Sequence, residues 1–420
     1  MQLPWRNLHF IGLGGVGMSG LGRIALEAGV SVSGSDLVPS TAAKELAGLG
    51  AQLTIGHRAG ALPLHSDLVI YSSAVPEDNP ERLAAAAAGI PSIRRGEFLA
   101  QIAGRYDRVI AVAGSHGKTT ITAMLAHVAQ AVSPASPGYL IGGSVPNHPS
   151  AAAGDGSLLI CEVDESDATL THMTCTVGII GNMDDDHCWS VGTVDKLRAA
   201  FAEFATRSNS LVLPDCPELA EIAQTHRNPI LIAESAETEV AIPGRHNRYN
   251  AVLAKSALTQ LGFADSAIDS ALQTFPGVDR RLCLRFQGAV TFIEDYAHHP
   301  VEVKAALEAM GDYSGRLIVV FEPHRWERVR RYGAEFATLL AAADRVYVLP
   351  TFAAWMDDTH LGGVEALVAG IGPQACLATK HWRALAAEIA EFANPGDVIL
   401  SLGAGDINQL TAPLVEALAE

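Results

Sequence analysis

Cysteine is scarce: Cys161, Cys175, Cys188, Cys216, Cys283 and Cys376 are the six in 420 residues, and no two lie within ten positions of each other. That spacing excludes a CxxC metal or redox motif, and scattered thiols in a long chain point to a reducing cytoplasm. Aromatic residues make up only 6% of a chain that is 49% hydrophobic, so the core is aliphatic and alanine-rich, as parallel α/β layers are. Positive charge is short too, with 29 Lys and Arg against 46 Asp and Glu, a net charge of −17. A nucleic-acid partner needs a basic face and is not expected. Anionic substrates must be held by local cations and amides rather than by an overall field. No apolar run approaches the ~20 residues of a membrane span. The opening MQLPWRNLHFIGLGG has no signal-peptide cleavage pattern, so no membrane partner is expected. The length predicts two to four domains.

The most informative stretch that is present is Arg108–Ala126, RVIAVAGSHGKTTITAMLA. Val109–Ala113 is an unbroken apolar run, as in a strand buried on both faces. Gly114, Ser115, His116 and Gly117 make a turn, and Lys118, Thr119 and Thr120 open a helix. Free amides at a helix start, a lysine and a neighbouring hydroxyl suit a triphosphate with its magnesium ion. The turn departs from the general P-loop pattern, because two residues rather than four separate Gly114 from Gly117.

The chain begins with a second glycine turn. Leu8–Ile11 is a short buried strand, Gly12-Leu13-Gly14-Gly15-Val16-Gly17 fits G-x-G-x-x-G, and the next strand, Val30–Ser33, ends near Asp36. This is a dinucleotide-type fingerprint, in which glycines let a pyrophosphate approach a helix start. NAD, FAD and a UDP-sugar all offer a pyrophosphate, and the motif alone does not choose among them. Ser72 and Ser73 follow another strand, at an edge where open α/β sheets bind ligands.

Further strands carry acids at their C-terminal ends. Leu158–Val163 leads to Asp164-Glu165-Ser166-Asp167, and Val177–Ile180 leads to Gly181-Asn182-Met183-Asp184-Asp185-Asp186-His187. Glu162 and His187 are the metal candidates beside the P-loop, with Mg²⁺ the expected ion. Arg280 and Arg281 are either surface charge or phosphate ligands. A last set of β-α units places Asp295-Tyr296-Ala297-His298-His299 and Glu322-Pro323-His324-Arg325-Trp326-Glu327-Arg328 after strands. The pattern predicts an α/β protein of three domains. They are an N-terminal Rossmann-like nucleotide-binding domain (1–105), a central P-loop ATPase domain (106–277) and a C-terminal Rossmann-like domain (278–420).

Ten stretches, HFIGLGGVGMSG, VSGSD, SSAVPEDNPE, GSHGKTT, EVDESDA, GNMDDDH, PGRHN, DYAHHP, EPHR and LGAGDI, occur in one order along nearly the whole chain. In that order they resemble the Mur ligases, the ATP-dependent amide ligases of peptidoglycan precursor synthesis, whose P-loop has this shortened form. The resemblance is strongest to the branch that joins L-alanine to the lactyl carboxylate of UDP-N-acetylmuramate through an acyl phosphate. It implies ATP and Mg²⁺ as cofactors, with UDP-N-acetylmuramate and L-alanine, or a related amino acid or peptide, as substrates.

The resemblance also implies site roles. Lys118, Glu162, His187 and Arg281 would be catalytic, and Thr119, Glu162 and His187 would hold metal. ATP would be bound by Gly114, Ser115, His116, Gly117, Lys118, Thr119, Thr120, His246, Asn250, Arg281 and Asp295. The UDP-sugar would meet Gly14, Gly15, Val16, Gly17, Met18, Ser19, Asp36, Ser72 and Ser73, and the amino acid Tyr296, His299, Arg325 and Arg328.

The chain departs from the family at several places. It reads DHCW from Asp186 to Trp189, HRWERVRR from His324 to Arg331 and FAAWMDDTHLGG from Phe352 to Gly363, and only a few dozen residues connect Ser210 to Pro243. A murein tripeptide ligase acting on the same UDP-sugar is the alternative within the family. A nicotinamide-dependent oxidoreductase, read from GLGGVG and Asp36, leaves GSHGKTT unexplained. A non-catalytic nucleotide-binding relative does not account for Lys118, Glu162 and His187 together.

Overall fold

The computed structural model describes residues 1–146, 148–165, 169–184, 192–353 and 364–420. Three sheets organise them. The first is wholly parallel, in the order β3-β2-β1-β4-β5, and consists of β1 (Asn7–Ile11), β2 (Ser31–Asp36), β3 (Gln52–Ile55), β4 (Leu68–Tyr71) and β5 (Ser92–Arg94). Helices α1 (Val16–Glu27), α2 (Thr41–Gly48), α3 (Pro80–Ala87) and α4 (Arg95–Ala103) connect or follow its strands.

The second sheet runs β12-β11-β10-β6-β9-β7-β8. Its strands are β6 (Arg108–Ala113), β7 (Gly138–Leu140), β8 (Ala151–Ala152), β9 (Leu158–Glu162), β10 (Cys175–Ile180), β11 (Ser208–Pro214) and β12 (Pro229–Ile232), and α5 (Lys118–Val132) follows β6. Only β8 runs antiparallel to its neighbour. The third sheet, β13-β14-β18-β15-β16-β17, contains β13 (Cys283–Gln287), β14 (Thr291–Asp295), β15 (Leu317–Phe321), β16 (Arg345–Val348), β17 (Ala375–Leu377) and β18 (Val398–Leu402). There β13 is the antiparallel strand.

The described chain forms two compact units, Met1–Ala241 with Arg248–Pro276, and Ile242–Asn247 with Gly277–Glu420. The first two sheets lie together in the first unit and share one apolar core, which includes Leu8, Phe10, Leu21, Phe98, Ala111, Leu140, Leu159 and Phe204. Gly20 of α1 shows how closely they pack: a Cβ there would come within 2.2 Å of Leu140 Cδ1 on β7 and 3.2 Å of Ala151 Cβ on β8. Central strands such as Val109–Ala113 and Val398–Leu402 are buried along their length, which is why they read as continuous apolar runs. Each fully buried Leu, Ile or Phe contributes about 1.5–3 kcal/mol to the fold. Among the described residues no helix is long and apolar enough to cross a membrane.

Pairing register fixes which residues leave the C-terminal strand ends together. In the first sheet Ile11 is level with Ser35 and Tyr71, and Tyr71 with Arg94, so Gly12, Asp36, Ser72 and Arg95 each stand one residue past the same line. In the second, Val112 is level with Glu162 and Ile179. In the third, Leu402 is level with Asp295 and Phe321.

A polar knot lies inside the first sheet. Glu81 at the start of α3 is fully buried and receives His9 Nε2 at 2.7 Å, Ser35 Oγ at 2.7 Å and His57 Nδ1 at 2.9 Å. Burial alone would raise this carboxyl, but the bonds from His9, Ser35 and His57 outweigh it and hold the group below its ordinary value of 4.5. The knot's stabilisation is therefore full above that value and is lost as pH falls through the lower folded value. Removing one partner of a buried pair costs about 3–5 kcal/mol. Glu81→Ala is expected to cost that much and to speed hydrogen exchange of the β1 and β2 amides in the full chain. Unchanged exchange there would show that the knot bears no load.

Candidate active site

The turn after β6 is a glycine structure by necessity. Gly114 has φ 139° and Gly117 has φ 79°, a region that side chains with a Cβ avoid. Neighbours crowd both. A Cβ at Gly114 would stand 3.1 Å from the Asn182 amide nitrogen, and one at Gly117 3.1 Å from Asn250 Oδ1. Asn182 clasps the backbone of His116, accepting from its N–H at 2.8 Å and donating to its carbonyl at 3.0 Å. The Ser115 hydroxyl accepts from the Asp184 N–H at 2.8 Å, and His116 Nε2 lies 2.8 Å from Asp184 Oδ2.

Lys118, the first residue of α5, curls back into this turn. Its ammonium donates to the Gly114 carbonyl and meets Glu165 Oε1 at 3.1 Å and Oε2 at 2.9 Å. Burial alone would lower the lysine's pKa; the carboxylates of Glu165, Asp164 and Glu162 overcome that and raise it, so the ammonium stays charged. Thr119 Oγ1 donates to Glu162 Oε2 at 3.1 Å, and the Gly142 N–H donates to Glu162 Oε1. Burial raises the Glu162 pKa, a cost that a bound cation relieves. A hydroxyl and a carboxylate side by side at the helix start after this glycine turn form an oxygen donor set that fits Mg²⁺. Thr120 follows them, buried in the first turn of α5. His187 lies outside the described residues.

At the first sheet, Gly14, Gly15, Val16, Gly17, Met18 and Ser19 form the turn after β1 and the first turn of α1. Asp36 folds onto this turn, its Oδ2 accepting from the Gly14 N–H at 2.7 Å, and Ser40 Oγ donates to the Gly14 carbonyl at 3.1 Å. Ser72 stands beside Gly12, 3.6 Å from where a Cβ would be, and Ser73 follows it at the same edge. Arg95, which sequence reading left out, lies against Gly17.

The second compact unit gathers a separate set. Two guanidiniums lie against Tyr296, with the Cζ atoms of Arg280 and Arg281 each 5.0 Å from its ring centroid. Arg281 Nη1 reaches Glu302 at 3.4 Å, and Arg280 Nη2 donates to the carbonyls of Gly403 at 2.8 Å and Gly405 at 3.2 Å. Asp295 accepts from the N–H groups of Leu282 at 2.8 Å and Ala297 at 2.7 Å; burial, only partly offset by Arg281, pushes it up to about 6.

From Tyr296 a row of rings continues through His298, at 5.3 Å, to His324, at 5.5 Å, and His324 stacks on Phe352. Arg328 Nη1 donates to His324 Nδ1 at 3.2 Å. Burial, reinforced by neighbouring positive charge, lowers His298 to about 4 and His324 to about 3, so both rings are neutral near pH 7. The positive charge here therefore belongs to the arginines. Arg325 caps the helix Trp326–Leu340 with φ 68°, a strained value for a residue with a Cβ. His299 is buried edge-on to Tyr332, 4.8 Å between centroids, and His246 lies beside Gly244 in the segment Ile242–Asn247.

Thus Asn250 and the P-loop residues come together in one unit, and Arg281, Asp295, Tyr296 and Arg328 in the other. The structure sets Glu165, Asn182, Asp184, His298 and His324, which the sequence did not single out as candidates, against residues that it did. Each is adjacent to, or a few positions from, a residue it did select, so the motif was visible and the division of labour within it was not.

Family models match three successive stretches: Mur ligase family, catalytic domain, at residues 7–107; Mur ligase middle domain at 112–233; and Mur ligase, glutamate ligase domain, at 280–405. The chain belongs to the Mur ligase family. It is 38% identical to the UDP-N-acetylmuramate–L-alanine ligase of a Nocardioides species, over 96% of this chain and 94% of that protein. The ligase of that name from Anaeromyxobacter dehalogenans is 35% identical, over 98% of each chain; that alignment spans 458 positions, so the relative carries residues that this chain lacks. The crystal structure of the UDP-N-acetylmuramate–alanine ligase of Thermotoga maritima is similar with a TM-score of 0.81 and 26% identity, over 98% of each chain.

Gly142 gives a direct test of the oxygen donor set. A Cβ there would stand 2.7–2.9 Å from the Glu162 carboxylate. Gly142→Ala is expected to push Glu162 off Thr119 and weaken Mg²⁺ dependence of nucleotide binding on the order of tenfold, the usual scale for disturbing a ligand's support. Titrating Mg²⁺ at fixed nucleotide checks this; an unchanged midpoint would contradict the assignment.

Proposed function

We propose that this protein is an ATP-dependent carboxylate–amine ligase that joins L-alanine to the lactyl carboxylate of UDP-N-acetylmuramate in the cytoplasm. The observation that carries the reading is the set Lys118, Thr119 and Glu162 around one shortened P-loop. The names of the similar full-length proteins supply the substrates.

The chemistry follows from charge. A carboxylate oxygen attacks the γ-phosphorus of ATP and ADP leaves; the amine of the amino acid attacks the acyl carbon, and phosphate leaves with the former carboxylate oxygen. Two anions must meet in the first step, so cations are required between them. Lys118 supplies one from the P-loop. Thr119 and Glu162 would hold Mg²⁺, with His187 and Glu162 sharing a second, and the metal would neutralise charge on the phosphoryl oxygens. Gly114, Ser115, His116, Gly117 and Thr120 offer the phosphate cradle, with Asn250 beside it; His246, Arg281 and Asp295 serve the rest of the nucleotide.

The UDP-sugar takes the glycine turn of the first sheet, Gly14 to Ser19, with Asp36, Ser72 and Ser73. The acceptor lies by Tyr296, His299, Arg325 and Arg328. Its carboxylate suits a guanidinium fork, and the neutral rings of His298 and His324 add hydrogen-bonding capacity without charge.

Phosphate release with UDP-N-acetylmuramate and a panel of amino acids and murein peptides tests the whole reading; L-alanine is expected to be the best acceptor, and preference for the tripeptide would favour the alternative ligase. Lys118→Met is expected to lower turnover on the order of a hundredfold or more, the scale of one electrostatic stabiliser, and near-normal release by the folded variant would refute the role. Arg328→Lys is expected to raise the KM for the amino acid about tenfold, or ~1.4 kcal/mol, with ATP and UDP-sugar affinities almost unmoved. Parallel loss of all three affinities would make Arg328 a structural residue.

A further inference from the structure

The turn proposed to receive the UDP diphosphate contains no basic side chain: its sequence is Gly12-Leu13-Gly14-Gly15-Val16-Gly17-Met18-Ser19. One of its amides, that of Gly14, is occupied by the carboxylate of Asp36. In a chain of net charge −17, a diphosphate needs a local cation.

Arg95 is placed to be that cation. It is the first residue of α4 and follows directly on β5, one position past the line that Ile11, Tyr71 and Arg94 define across the first sheet. Its guanidinium lies on the glycine turn itself. A Cβ added to Gly17 would be 2.4 Å from Arg95 Nη1 and 3.3 Å from its Cζ. The side chain is 21% exposed, so it is held in place yet reachable. Among its contacts is Asp164 on the acid loop after β9, at 3.4 Å from Nη2, and that carboxylate is itself 38% exposed. This is a long, partly solvated pair, whereas a guanidinium on a phosphate makes two parallel charged hydrogen bonds.

We propose that Arg95 binds the diphosphate of the UDP-sugar, exchanging its contact with Asp164 for the phosphate oxygens. The inference rests on the reading of the first sheet as the UDP-sugar site. It also gives Gly17 a reason to lack a side chain, since any Cβ would displace the guanidinium from the turn. Asp164 is then a stand-in anion that the phosphate oxygens displace when the ligand arrives.

Calorimetric titration of the full chain with UDP and with UDP-N-acetylmuramate tests this, using wild type, Arg95→Gln, Arg95→Lys and Asp164→Asn, with melting temperatures recorded for each. Arg95→Gln is expected to weaken both ligands tenfold or more while affinity for a non-hydrolysable ATP analogue is unchanged. Arg95→Lys keeps the charge without the fork and is expected to fall between. Asp164→Asn removes a competitor and is expected to leave UDP binding as tight as wild type or tighter. Equal weakening by Arg95→Gln and Asp164→Asn would make the pair a structural strut and overturn the proposal, as would wild-type UDP affinity in Arg95→Gln. If the wild-type protein binds neither ligand, the reading of the first sheet fails, and this inference with it.

Discussion

Lys118 is held by a carboxylate. Its ammonium meets both oxygens of Glu165, which is 1% exposed, at hydrogen-bond distance, and much of the chemistry read from the first unit depends on that pairing. An isolated ammonium in such a place would lose its proton to escape desolvation. With Glu165 beside it the charge persists, as the proposed meeting of Lys118 with a phosphate requires. A buried pair of this kind is weak evidence for stability; its value here is that it fixes where one positive charge sits.

The end of β9 and the loop after it extend the same logic. Within four residues they set Glu162 against Thr119, Asp164 against Arg95 and Glu165 against Lys118. One short segment thus meets, in Arg95 and Lys118, the side chains that lie on the two glycine turns of the first compact unit. The sheet register explains how: β9 pairs with β6, so its C-terminal end arrives level with the end of the P-loop strand. The second unit handles charge differently. There the arginines carry it, while burial keeps His298 and His324 neutral among them. The two arrangements fit the two tasks proposed for them, transfer of a phosphoryl group and capture of a small zwitterion.

Much of this was legible in the sequence because parallel strands buried on both faces advertise themselves. Val109–Ala113, Leu158–Glu162 and Val398–Leu402 are apolar runs ending in glycine or acid, and they are strands. Three of the edge strands were not legible. Gln52–Ile55 is half exposed, Ala375–Leu377 is three residues long, and Cys283–Gln287 is interrupted by a bulge; none carries a period to read. The site residues showed the same contrast. Gly114, Gly117, Lys118 and Thr119 are tied to one another along the chain, so their spacing reveals them. Arg95 meets its turn, and Glu165 its lysine, only after residues tens of positions apart are folded together.

The central claim is that the carboxylate of the UDP-sugar is activated by direct phosphoryl transfer. Its most direct test uses UDP-N-acetylmuramate labelled with ¹⁸O in the lactyl carboxylate, with ATP, Mg²⁺ and L-alanine. The account predicts that one labelled oxygen appears in the inorganic phosphate released with each amide formed. Amide formation with unlabelled phosphate would contradict it.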